Sequence, residues 1–177
     1  MLSSRIALKV YVAGKIAPES PRVLEAFHGW IRQKALPETL IDVVDYSHVH
    51  EGPAVLLIGH ESDYSLDLSE GRVGLSYQRK RAPETSLGPL GDSLKRVLRA
   101  VELLEQTPSL APLQFSRSEF KLTLLDRLNA PNTVATREAC EAEILRSFEG
   151  LGRVSVSQEG LGSKEPFTLR VQVAAQN

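Results

Sequence analysis

Three of the chain's four histidines and two aspartates fall within one short stretch, DYSHVHEGPAVLLIGHESD, running from Asp45 to Asp63. Imidazole changes charge nearest neutral pH and is the commonest side-chain metal ligand, so this clustering is the first chemistry the sequence offers. His48 and His50 stand two apart. On a strand both would project from one face, with α-carbons roughly 7 Å apart. An ion with Zn–N bonds of about 2.0–2.1 Å needs more ligands than two, and Glu51 is the adjacent carboxylate. The metal reading is therefore His48, His50 and Glu51, with zinc or iron as the ion. The competing reading leaves the imidazoles hydrogen-bonded or solvent-facing at the end of a strand. No cofactor is indicated outright.

If the turn pairs His50 with Ala54, His60 lies two cross-strand pairs beyond His48. That is roughly 13 Å along the strand, too far for one ion to bridge all three histidines. His60 and Asp63 form a second candidate, because a carboxylate can orient and charge an imidazole for general acid–base work. They follow an apolar strand, a usual place for functional groups to emerge. The plain alternative is a polar bend. With Asp45, the same groups would serve an organic or anionic ligand. Asp126 and Arg127, in DRLNAPNT, complete the candidate ligand-binding set. Capping and turn geometry account for Asn129, Asn132 and Thr133 but give those two no structural role.

Other reactive groups read as structural. Cys140 is the sole cysteine, which excludes an internal disulfide and any multi-cysteine metal site. Among Ala139, Ala142 and Ile144 it reads as a small buried hydrophobe. His28 and Trp30 read as packing or surface residues of the first helix. The run Arg79-Lys80-Arg81 reads as a solvated charge run, without interleaved aromatics. Lys and Arg total 21 against 22 Asp and Glu, a formal net charge of -1, so no basic excess points to nucleic acid. The sequence holds no Walker-type loop and no G-x-G-x-x-G, G-x-S-x-G or H-E-x-x-H pattern.

The elements that must position these groups follow from periodicity. IALKVYVA (6–13) reads as a strand. ESPRVLEAFHGWIRQKAL reads as a helix, with Ser20 as cap, Pro21 at the first position and Leu24, Phe27 and Ile31 on one face. LIDVVDYSHVH and AVLLIGH read as strands joined at Glu51-Gly52-Pro53. DYSLDL and RVGLSYQ read as a hairpin about Glu70-Gly71. A Pro/Gly-rich connector leads to the helix SLKRVLRAVELLEQ, capped by Asp92. A long strand ending FKLTLLD comes next, then a helix from Thr133 to about Phe148 and strands at 153–158 and 167–174. The last strand alternates Phe167, Leu169, Val171 and Val173 with Thr168, Arg170 and Gln172, so one of its faces is expected to be wet.

Sliding the chain on itself by 113 residues sets Ala17-Pro18 on Ala130-Pro131, Ile31 on Ile144, and Pro53 on Pro166. The expected organisation is a single domain, 1–177. The offset reads as an internal duplication of 1–79 and 113–177, joined by the connector and a helix at about 92–106. Under that alignment Asp45, His48, His50 and His60 face Gln158, Leu161, Ser163 and Val173, so the imidazoles belong to one copy only. The expected fold is α+β: a two-layer, mostly antiparallel sheet with about three helices, as two tandem βαββ units.

No apolar run approaches the roughly 18 residues of a membrane span, and the N-terminus lacks a secretory apolar region. A soluble, cytoplasmic protein is expected, with neither membrane nor nucleic acid as partner. Balanced charge, missing catalytic signatures and strands able to pair across a dimer favour a non-catalytic binding or assembly module. Its partner would be a protein, a second copy or a small ligand. The alternative is a small metal- or histidine-dependent enzyme using His48, His50 and His60.

Overall fold

Strict alternation shapes the first strand. In a computed structural model, which describes residues 5–14, 17–50, 52–82, 85–162 and 164–175, β1 (Ile6–Val12) turns Ile6, Leu8 and Val10 to one side and Lys9 and Tyr11 to the other. There follow α1 (Ser20–Gln33), β2 (Leu40–Asp45), β3 (Pro53–Gly59), β4 (Ser62–Asp67) and β5 (Gly74–Arg79). The chain continues as α2 (Gly88–Glu105), β6 (Phe115–Leu124), α3 (Val134–Phe148), β7 (Arg153–Glu159) and β8 (Phe167–Ala174). The strands form one sheet, in the order β2-β3-β4-β5-β1-β6-β8-β7, with every pairing antiparallel. This is the expected α+β architecture.

Register carries the alternation across the sheet. Leu8 lies opposite Tyr77 and Leu122, and Leu122 lies opposite Leu169. These residues, with Phe27 and Trp30 of α1, Val97 and Val101 of α2, and Ile144 and Phe148 of α3, belong to one buried cluster. All three helices therefore cover the same face. The other face presents Lys9, Tyr11, Asp67, Glu119, Lys121 and Arg170; none of the three α-helices covers it, and the short 3-10 turn Ser69–Gly71 meets it at Lys9 and Lys121. No described helix is long and apolar enough to cross a membrane.

Three local expectations are corrected. First, β2 ends at Asp45 and does not run on to His50. The Asp45 carboxylate accepts the Ser47 N–H at 2.8 Å, and the Val49 N–H donates to the Tyr46 carbonyl at 2.8 Å, so the backbone turns through 46–50. Val44 then pairs with Leu56, and the Tyr46 N–H reaches the Ala54 carbonyl. Second, α2 starts at Gly88, with Pro89 in its first turn, so Asp92 is an interior helix residue and caps nothing. Third, Ser20 is the first residue of α1 and Glu19 holds the cap position, without a side-chain cap bond.

The 113-residue offset sets β2 and β3 against β7 and β8 along the chain. In the sheet, β5 flanks β1 as β8 flanks β6, and β4 lies beyond β5 as β7 lies beyond β8. By position, the β2–β3 hairpin is the additional piece.

Candidate functional site

The residues singled out from the sequence are spread along the sheet. Asp45 is exposed at the end of β2, and hydrogen bonds from Ser47 hold its carboxyl below the usual range. His48 and His50 are exposed in the turn that follows. His60 is exposed at the opposite end of β3, its backbone N–H donating to the Thr39 carbonyl at 2.8 Å. Asp63, on the uncovered face of β4, accepts from the Gly59 N–H at 3.3 Å and from Lys80 Nζ at 2.7 Å. Asp126 accepts from Asn129 N and Nδ2 at 3.2 and 2.8 Å, a turn that lowers its carboxyl pKa. The polar role that the sequence left without an explanation is thus a local turn.

Arg127 is exposed beside it. These two follow β6, four strand positions from β3, which places them about 19 Å from His60 at ~4.8 Å per strand. Only His60 and Asp63 share an end and a neighbourhood, and Asp63 is engaged with Lys80. Glu51 lies outside the described residues. Among the described residues, no three His, Cys, Asp or Glu side chains gather as a metal site.

Two charge networks were not read from the sequence. The first lies under the helices. Arg79, expected in solvent, is 1% exposed. Its guanidinium donates to the Asp92 carboxylate, to Ser93 Oγ at 3.0 Å and to the Arg81 carbonyl at 3.2 Å. Arg96 spans Asp92, Glu38 and Glu61 at 2.8, 3.2 and 2.7 Å. The Glu38 side chain is fully buried. It accepts from the backbone N–H groups of Glu61 and Ser62 at 3.1 and 3.0 Å, from Tyr64 OH at 2.8 Å and from Ser62 Oγ. Burial, then the Glu38 charge, push the Tyr64 phenol far up, so it stays neutral. The Tyr77 ring lies beside Arg79 and Tyr64, and its hydroxyl, like that of Tyr11 on the uncovered face, is buried without a hydrogen-bond partner among the described residues. The cluster is a clamp joining α2, the ends of β4 and β5 and the loop after α1.

The second network lies on the uncovered face. Arg72 forks onto Glu119 at 2.7 and 2.9 Å, and Arg170 joins Glu119 at 2.8 Å to Glu159 at 2.7 Å. Lys9 pairs with Asp67 at 3.0 Å, and Lys121 with Glu70. At the centre lies Tyr11, 1% exposed. The Arg72 guanidinium carbon stands 3.8 Å above its ring centroid, a cation–π stack. Its hydroxyl is buried and has no hydrogen-bond partner among the described residues. Burial raises the phenol's pKa despite the Arg170 and Arg72 charges, so the group is a neutral O–H.

A hollow of about 450 Å³ opens beside it, lined by Tyr11, Val12, Gly14, Gly71, Arg72 and Val73 among others. Gly14 and Gly71 adopt φ of 83° and 64°, left-handed values that glycine takes at least cost, and the space above both is open. Guanidinium carries five N–H donors, and only two of the Arg72 nitrogens are turned onto Glu119. The signal that could have found this place is in β1, where Lys9 and Tyr11 alternate with Leu8 and Val10 and so must share one face.

The uncovered network makes stability pH-dependent. Burial pushes the Asp67 carboxyl up, but the Ser69 N–H and the Lys9 ammonium outweigh it and leave it below 3.8. Hydrogen bonds from Arg72 outweigh burial and hold Glu119 below 4.5. Both folded-state values are depressed, so their stabilisation is complete above the unfolded-state values and lost as pH falls through the folded ones. The urea midpoint is expected to stay level above about pH 5 and to drop below about pH 4. Glu119→Gln should make the drop shallower. A midpoint level through the acid range, or a drop unchanged in Glu119→Gln, would remove the network from the account of stability.

No protein-family model matches the chain, and no curated protein matches it in sequence.

Proposed function

We propose that the protein is a non-catalytic binding module that holds a small oxyanion-bearing ligand, a carboxylate or a phosphate, in the hollow beside Tyr11 and Arg72. The carrying observation is that Tyr11, which lines that hollow, has a buried hydroxyl without a hydrogen-bond partner among the described residues. A buried O–H left unbonded costs about 1–3 kcal/mol, which a ligand oxygen would recover. Arg72 supplies the only charged side chain among the described residues of the lining, so the complementary ligand is an anion. Val12, Ala17 and Val73 offer apolar wall for a small organic body. Two bonds of charge-assisted type, at about 1.5–3 kcal/mol each, sum to about 3–6 kcal/mol, so that after the cost of association the Kd should be no tighter than tens of micromolar.

The binding reading also fits the thiol and the imidazoles. Burial pushes the Cys140 thiol up to about 11, far from a nucleophile's range. His48, His50 and His60 are exposed and spread over both ends of β3.

The test is titration of the ¹⁵N-labelled protein with inorganic phosphate and, separately, with benzoate. Saturable shifts are expected at the amides of Val12, Gly14, Gly71 and Val73 with at least one of the two. The stronger probe identifies the ligand class. Arg72→Gln should abolish the shifts, and Tyr11→Phe should weaken binding several-fold. No saturable shift with either anion, or shifts that survive in Arg72→Gln, would overturn the proposal.

A further inference from the structure

The chain around β7 reads nearly the same in both directions. In LGRVSVSQEGL, Leu151 to Leu161, the centre is Val156. About it Ser155 mirrors Ser157, Gly152 mirrors Gly160 and Leu151 mirrors Leu161. The charged positions are complementary, Arg153 mirroring Glu159. Within this segment β7 is an edge strand whose one strand partner is β8, and at its far end Asn132 Nδ2 donates to the Glu159 and Gly160 carbonyls at 3.1 and 2.7 Å. A free edge is a template for another strand.

We infer that β7 is a homodimer interface, in which a second copy of this chain pairs its own β7 antiparallel about a twofold axis at Val156. An isologous contact requires a self-complementary surface, and the mirrored sequence supplies one. In that register Arg153 lies opposite Glu159 of the second copy, at both ends of the ribbon. Each side has capacity for the contact. Arg153 makes no ion pair among the described residues, and Glu159 uses only Oε1 in holding Arg170.

The helix layer agrees with the strand. A twofold axis normal to the sheet keeps the covered faces together, which brings α3 beside α3 of the second copy. On that side Leu145 and Leu151 are 38% and 37% exposed. A hollow of about 390 Å³ lies there between α3 and β7, lined by Ala142, Leu145, Arg146, Glu149 and Val154 among others. A second helix would cover both. The opposite edge of the sheet is built differently. In β2 the register shifts between Leu40 and Asp42, and the Asp42 carboxylate takes the Val43 N–H at 2.8 Å. Bulges and carboxylates of this kind blunt an edge; β7 carries neither a register shift nor a proline.

The test uses two variants, Arg153→Glu and Glu159→Arg, each confirmed as folded by circular dichroism and measured by sedimentation velocity. The wild-type chain is expected to be a dimer at micromolar concentration. Each variant alone sets like charges against each other at both ends and should weaken dimerisation at least tenfold. An equimolar mixture of the two restores opposite charges at both ends, and the dimer should return. A monomeric wild type, dimers unaffected in both variants, or a mixture that stays monomeric would each overturn the interface. None of these outcomes bears on anion binding at Tyr11, so the two proposals fail separately.

Discussion

Asp92→Ala is expected to lower the unfolding free energy by about 3–5 kcal/mol, because it removes one partner of a buried pair and strands the other. For a chain of this size that is a fall in melting temperature of roughly 10 °C. The Arg79 side chain has no exposed surface in its pairing with Asp92. Without that carboxylate its charge would face only Ser93 Oγ and the Arg81 carbonyl. Arg96 would lose its contact within α2 as well. The double variant Arg79→Met, Asp92→Leu removes both charges and should recover most of the loss, since apolar replacements of buried pairs are often close to neutral. Urea unfolding of the three proteins decides the matter. An Asp92→Ala variant within about 1 kcal/mol of wild type would mean that water reaches Arg79 and that the clamp is not dry.

Glu38→Ala should cost a similar amount, about 3–5 kcal/mol, for a different combination of reasons. One carboxylate accepts from two backbone N–H groups, two hydroxyls and a guanidinium. Alanine leaves the donors of Glu61, Ser62 and Tyr64 under the helix layer with nothing to bond. Glu38→Gln keeps the shape and one acceptor oxygen, so its cost should be nearer 1–3 kcal/mol. The local readout is amide hydrogen exchange. Protection at Glu61 and Ser62 should fall more than protection at the centre of β4. Uniform loss across the sheet would show instead that Glu38 contributes only to global stability.

The fold was legible because its instructions are local. Alternation in β1, β4, β5 and β8 marks the strands and their buried side, and the stripes of α1 and α2 mark the helices. Proline and glycine mark most breaks. The histidine segment misled because YSHVH alternates like a strand, while the Asp45–Ser47 bond that ends β2 depends on backbone direction, not on pattern. Arg79 and Asp92 misled for a second reason. A charged residue declares its environment only through its partner, and these partners meet across the packing of α2 on β5. The Tyr11 hollow is further still from local reading. It joins β1 to residues that arrive some sixty positions later, and only the order of strands in the sheet brings them together.

That same order sets a timetable for synthesis. β1 is made first, yet it ends up in the interior of the sheet, between β5 and β6. Its pairing with β5 can form once residue 79 has emerged, whereas Ile6 must wait for Leu124. At the usual ~5–20 residues per second of translation, the nascent chain spends some seconds with the second side of β1 open. For that interval an interior strand behaves as a raw edge, apolar along Ile6, Leu8 and Val10. Lys9, in the middle of it, is the gatekeeper charge that such a segment needs. Its partner Asp67 is made before residue 79, so the same charge that guards the unfinished sheet is already tied into the finished one.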